Sequence, residues 1–204
     1  MSLNSVAPVE RGQTYYGPTQ TIDTGDYAGI SLEGKRALFL DNDSSDSAKF
    51  RTARVTKAIL MRNMTGGIVY AGYAVTPYSG SEDHRFDASY DKACQAVGIV
   101  DDRLGTGGCR AGDLCWVLIA GPAYYKTASS PARDTAVGDL LYVVDDDEGR
   151  LDSWQAALTF SATDVVDGDL ASILANSLGR ALESSETSDT DTSKLIDLGA
   201  ATFG

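Results

Sequence analysis

A chain of 204 residues with 43% hydrophobic and 23% charged residues can bury one sizeable core, and its composition excludes wholesale disorder. Its net charge of −12 lies wholly in the last third: residues 1–133 carry 14 basic and 14 acidic side chains, residues 134–204 only Arg150, Arg180 and Lys194 against 15 acids. Such a surface repels nucleic acid and anionic lipid headgroups, so neither is an expected partner, and a cation or a basic protein surface is favoured instead.

The first residues, MSLNSVAPVERGQTYYG, have neither a basic nor an apolar targeting region, and no apolar run approaches the roughly 18 residues that cross a bilayer. With three cysteines, an odd number, the chain reads as one made in a reducing cytosol and not as a secreted disulfide framework. Residues 1–30 mix Ser, Pro, Gly and Thr without helical period, which predicts an extended arm. Tyr15 and Tyr16 between Gly12 and Gly17 are its candidate docking aromatics. Residues 31–204 are expected to form a single β-rich domain.

RALFL, Arg36 to Leu40, is a short buried-strand candidate, followed by the loop DNDSSDS. RVTKAILMRN from Arg54 and IVYAGYAVT from Ile68, joined by a Gly-containing link, predict a hairpin. YSGSEDHRFDASYDK reads as a surface excursion, with strand returning in CQAVGIV, Cys94 to Val100. The strongest strand is LCWVLIAGPAYYK, Leu114 to Lys126. Leu114, Trp116 and Leu118 make one apolar face and Cys115, Val117 and Ile119 the other, which predicts burial on both sides. DLLYVV and RLDSW flank the acidic turn DDDEG as a second hairpin. A short helix near 169–176, the strand SLGRALES and a closing strand KLIDL complete the reading. The fold class is therefore all-β with at most one or two short helices, as a small barrel or sandwich.

AGDLCWVLIAGPA from Ala111 and VGDLLYVVDDDEG from Val137 share a Gly-Asp dipeptide before an apolar run, and Gly25-Asp26 and Gly168-Asp169 repeat the dipeptide alone. Gly accepts a positive φ, and the Asp carboxylate accepts hydrogen bonds from nearby backbone amides as a strand begins.

Chemistry is sparse. His84, Cys94, Cys109 and Cys115 lack the paired spacing of structural zinc ligands. Cys109 and Cys115 stand close enough in sequence to bridge across a turn, which a reducing compartment disfavours. The one histidine lies in a polar stretch and no G-x-S-x-G elbow accompanies it. GTGGCRAGD has an acid where a phosphate loop needs lysine. DNDSSD and DDDE lack the Gly and Glu of an EF-hand loop and read as solvated turns. No cofactor, metal or catalytic residue is expected. The basic run Lys49, Arg51, Arg54, Lys57 and Arg62 reads as a solvated strand face or as a docking strip for an acidic surface, with Arg54 and Lys57 its candidate contacts.

The succession QAVGIVDDRL, GDLCWVLIAGPAYYKTA, VGDLLYVVDDDEGRL, NSLGRALES and KLIDLG, within residues 54–199, resembles capsid decoration (cement) proteins of tailed bacteriophages. The resemblance implies a non-enzymatic virion protein, made in the bacterial cytoplasm, that binds the outer surface of an assembled head. Its partner would be the major capsid protein, commonly with the decoration protein as a trimer at local three-fold positions. The alternatives are another phage subunit, of the tail tube or of head completion, or a β-module binding a cation or a carbohydrate.

Overall fold

A computed structural model describes residues 11, 12, 14, 32–40, 55–78, 84–87, 96–129, 131, 134–144, 149–153 and 177–199. Among these residues there is no helix. The ten strands are β1 (Arg36–Leu40), β2 (Val55–Asn63), β3 (Ala74–Pro77), β4 (Arg85–Asp87), β5 (Gly98–Val100), β6 (Leu114–Lys126), β7 (Leu140–Val143), β8 (Leu151–Ser153), β9 (Ser177–Ala181) and β10 (Ser193–Leu198). The chain is all-β, as its patterning predicts.

The strands form one continuous sheet in the order β1-β2-β4-β3-β5-β6-β10-β9-β7-β8, with a further pairing of β2 to β6 that closes β2, β4, β3, β5 and β6 into a ring. A ring with an odd number of strands cannot be antiparallel throughout, because direction must alternate around it and would return reversed. The β2–β4 pair is parallel, with Arg62 beside Arg85, and resolves this. From the far half of β6 the sheet continues through β10, β9, β7 and β8. It returns to the end of β6 through a parallel bridge between Thr127 and Leu151 and the hydrogen bond from the Ala128 amide to the Leu151 carbonyl, 3.0 Å.

Strand β6 holds both halves together. It pairs with β2 over Leu114–Ala120 and with β10 over Gly121–Lys126. At the change of partner Gly121 has φ +88, and a Cβ there would stand 2.3 Å from the Val55 carbonyl oxygen, so only glycine fits. Both faces of β6 are buried, and they serve different cores. Cys115 and Val117 join Met61, Val75, Phe86 and Val100 in a cluster, with Ile119 packed against it, that receives side chains from every strand of the ring. Leu114, Trp116 and Leu118 belong to a second cluster that runs on to Tyr125, Leu141, Leu151 and Ile196 in the other half.

One local device opens four strands. In Leu32–Lys35, Tyr70–Tyr73, Arg110–Asp113 and Ala136–Asp139 the fourth amide donates to the first carbonyl at 3.0–3.4 Å. The third residue is glycine at φ +81 to +94, the geometry a type II turn demands. In each turn the glycine amide donates to one residue of a neighbouring strand, and that residue's amide donates back to the fourth carbonyl. The clamped residues are Leu60, Val100, Asn63 and Ala181 respectively, at 2.8–3.1 Å. Strands β1, β3, β6 and β7 begin directly after the clamps. Lys35 and Tyr73 stand where the other two turns have Asp, so glycine is the shared requirement. The carboxylate contributes at Asp139, whose Oδ2 accepts from the Ala136 amide at 2.8 Å.

Several expectations are corrected. The run Ile68 to Thr76 does not form a hairpin with β2. Its first part is occupied by the clamp around Gly72, and β2 takes β1, β4 and β6 as neighbours instead. The polar stretch after Tyr78 contains β4, whose Phe86 is fully buried. His84 is half-buried, not on an exposed loop: its ring stands where a Cβ on Gly34 would be, 2.4 Å from its Cδ2. The hairpin of β7 and β8 forms as expected, with Leu141 opposite Ser153. The helix expected near 169–176, the two acidic loops and most of the N-terminal arm lie outside the described residues.

Candidate interaction surface

Strand β2 runs out of the ring at its N-terminal end. Asn63 and Met61 face inward and are enclosed, Ile59 is half-buried, and Lys57 and Val55 continue the same face into solvent, Val55 being 42% exposed. The cause is the change of neighbour: β4 covers β2 only at Arg62 and Asn63, whereas β1 pairs with Val55–Ile59. Beyond the ring β1 and β2 form a ribbon, which β6 borders on the other edge of β2 as far as Lys57. Leu38 lies opposite Lys57, and Arg36 opposite Ile59. Leu38 is 68% exposed and Arg36 is exposed beside it. The other side of the ribbon, Ala37 and Phe39, packs on the core shared with Trp116. Among the described residues no strand pairs with the second edge of β1. Among the described residues the ribbon thus offers the outer-edge backbone groups of β1 beside two exposed apolar side chains, with Arg36 next to Leu38 and Lys57 between Leu38 and Val55.

Two ionic clusters hold this ribbon in place. In the first, Arg11 reaches from the N-terminal segment into the end of β5: its Nε donates to Asp101 Oδ1 at 3.0 Å and its Nη2 to Asp102. All three side chains are almost fully buried, at 6%, 0% and 3% exposure. The Gly12 amide adds a hydrogen bond to Asp101 Oδ2 at 2.6 Å, and Asp102 Oδ2 also accepts from the Tyr124 amide at 2.7 Å. The guanidinium stands 5.8 Å from the Phe39 ring centroid, and Phe39 meets Trp116 edge-on at 5.1 Å. The segment carrying Arg11 is therefore fastened to β1 and to the domain at once. A buried pair of this kind is sensitive to loss of either member, since the other charge would be stranded.

In the second cluster Glu33, in the clamp turn before β1, accepts from Arg62 Nε at 2.9 Å and from Arg85 Nε at 2.8 Å. The parallel pairing of β2 and β4 sets those two guanidinium groups side by side, and the carboxylate relieves their repulsion. Burial pushes the Glu33 carboxyl up, but the hydrogen bonds and charges of Arg85 and Arg62 outweigh it and hold the group below its ordinary range.

Of the residues singled out in the sequence, Lys57 lies on the ribbon, whereas Tyr15, Tyr16 and Arg54 lie outside the described residues. The basic run does not make one face: Arg62 is 8% exposed and bound to Glu33, on the side of the strand opposite Lys57. Leu38, the most exposed large apolar side chain among the described residues, escaped notice because RALFL reads as uniformly core-facing. Among the described residues no group of three or more His, Cys, Asp or Glu side chains could hold a metal ion, and no described helix is long and apolar enough to cross a membrane.

No family model matches the chain, and no curated protein matches it. Among solved structures it is similar to the head fiber gp8.5 N base of bacteriophage phi29, with 16% identity, a TM-score of 0.37, and coverage of 72% of this chain and 97% of that one. At this degree of likeness the neighbour says nothing of what the present chain binds.

Proposed function

We propose that this chain is a structural protein of a tailed-phage virion that binds the outer surface of the head and cements capsid subunits, without cofactor or catalysis. The observation that carries the reading is the β1–β2 ribbon: two exposed apolar side chains, Leu38 and Val55, on one face, with Arg36 beside Leu38 and Lys57 between the two, on a strand edge fastened by the buried Arg11 cluster. An extended segment of the major capsid protein can add to the free edge of β1, gaining backbone hydrogen bonds, while Leu38 fills an apolar recess and the two cations select an acidic surround. The order of motifs shared with decoration proteins supports the same reading, and homotrimers would place several ribbons around one capsid site, multiplying weak contacts.

The test is co-sedimentation of the purified chain with undecorated heads of its parent phage. Saturable binding that makes the heads more resistant to heat is expected. Absence of binding contradicts the proposal, polymerisation of the chain into tubes favours the tail-tube reading, and heat protection by a sugar or divalent cation favours a ligand-binding module.

A further inference from the structure

We propose that the clamp turn Tyr70–Tyr73 and the charged side chains around it form a binding site for a neutral pyranose sugar within an oligosaccharide. Tyr70 and Tyr73 are the first and fourth residues of the turn, joined by the hydrogen bond from the Tyr73 amide to the Tyr70 carbonyl at 3.4 Å. Their rings meet edge-on, 6.1 Å apart at 74°. Of the four clamp turns this alone carries aromatic residues at its ends, and the clamp's hydrogen bonds, all from the backbone, call for none.

The two rings are held in position before any ligand arrives. The Gly72 amide donates to the Val100 carbonyl at 3.1 Å and its carbonyl accepts from the Lys126 amide at 3.0 Å, so the turn is tied to the ends of β5 and β6. Gly108 lies against Tyr70, where a Cβ would stand 3.2 Å from the ring's Cδ1. The Arg150 guanidinium stands 5.2 Å from the Tyr73 ring centroid, and its Nη2 donates to the Tyr73 hydroxyl at 3.2 Å. Tyr70 is nevertheless 44% exposed. An aromatic side chain that is ordered and still open to solvent loses little freedom on binding.

Two groups with spare hydrogen-bonding capacity stand beside the rings. Asp191, whose side chain is 54% exposed, accepts from Arg150 Nε at 3.2 Å through Oδ1, and its Oδ2 has no partner among the described residues. Lys126 Nζ donates to the Asp191 carbonyl at 3.3 Å, which uses one of its three donors. An acceptor and a donor thus stand side by side, the pair that two neighbouring sugar hydroxyls satisfy. A pyranose also has a C–H face to lay against an aromatic ring. A phosphate would meet the Asp191 carboxylate, and a wholly apolar ligand would cover Asp191 and Lys126 without pairing them. Tyr70 and Tyr73 precede β3, Lys126 ends β6, Arg150 precedes β8 and Asp191 precedes β10. None of them belongs to the β1–β2 ribbon, so sugar binding is separable from head docking.

The test applies the full chain to an immobilised array of neutral hexose oligosaccharides beside sulfated and uronate ones, then titrates the strongest neutral oligosaccharide by calorimetry. Binding to neutral sugars that changes little with added salt is expected. Tyr70→Ala is expected to weaken it at least about fivefold, whereas Tyr70→Phe, which keeps the ring, retains most of it. Asp191 has φ +53, which Asn tolerates, so Asp191→Asn keeps the turn and is expected to lose a similar factor. Both positions are exposed, so the Tm of each variant should stay close to that of wild type. A chain that binds no neutral sugar, or that prefers anionic glycans in a salt-dependent way, overturns the proposal. So do folded Tyr70→Ala and Asp191→Asn variants that bind as wild type does. Sugar binding by a chain that does not sediment with heads would overturn the virion reading and leave the sugar site standing; head binding without sugar binding would do the reverse.

Discussion

Two halves of one face of β2 meet opposite fates. Toward Asn63 the face is closed in by β4 and β6 and becomes core; toward Val55 it is flanked by β1 and left open, although Val55 is as apolar as Met61. Residue type does not decide the difference. Position relative to the parallel β2–β4 contact does, because that contact closes the ring. A ribbon that leaves a ring without being capped costs the fold little and gives it a surface to use, so the enclosed half is expected to govern stability and the open half binding.

The comparison breaks most severely at the cluster that ties the N-terminal segment to the ribbon. Arg11→Ala strands the buried carboxylates of Asp101 and Asp102 and removes the cation from Phe39, and is expected to cost about 3 to 5 kcal/mol in urea unfolding. Within β2, Met61→Ala is expected to cost about 2 to 4 kcal/mol, while Val55→Ala on the same face stays within about 0.5 kcal/mol. Equal losses at the two positions would show that the ribbon is packed against something.

A smaller effect should follow pH. Because the folded-state pKa of Glu33 lies below its ordinary value of 4.5, its ionisation favours the folded state. That contribution is full above pH 4.5 and is lost as pH falls through the folded-state pKa. The advantage in Tm of the wild type over Glu33→Gln should therefore be present at neutral pH and shrink on acidification through that window. A difference that stays constant across it would remove the ionic account of the clamp before β1.

How much of this was legible in sequence depended on whether a feature was local. The bounds of β1 and β6 could be read directly, since RALFL and LCWVLIAGPAYYK are continuous apolar runs. The two-faced burial of β6 followed from its alternation. The hairpin of β7 and β8 followed from its acidic turn. The expected partner of β2 was not found, because a hairpin is the default for adjacent strands and nothing in VTKAILMRN announces a parallel neighbour of three residues, RFD, inside a polar stretch. The Gly-Asp dipeptides pointed to a real device but named it too narrowly: Gly34 and Gly72 perform the same clamping without Asp, and only long-range hydrogen bonds to Leu60 and Val100 reveal them. The ionic clusters were equally hidden, since Arg11 and Asp101 stand 90 positions apart and neither neighbourhood carries a motif. Leu38 was counted as core because periodicity cannot tell a covered strand from an edge.

The central claim, that the open half of the ribbon is the docking surface, is tested most directly by head binding of a Leu38→Asp, Val55→Asp double variant compared with wild type at matched stability. The account predicts a variant whose unfolding midpoint stays close to that of wild type and whose affinity for undecorated heads falls at least about tenfold, the equivalent of roughly 1.4 kcal/mol. Undiminished binding by a folded variant would contradict it.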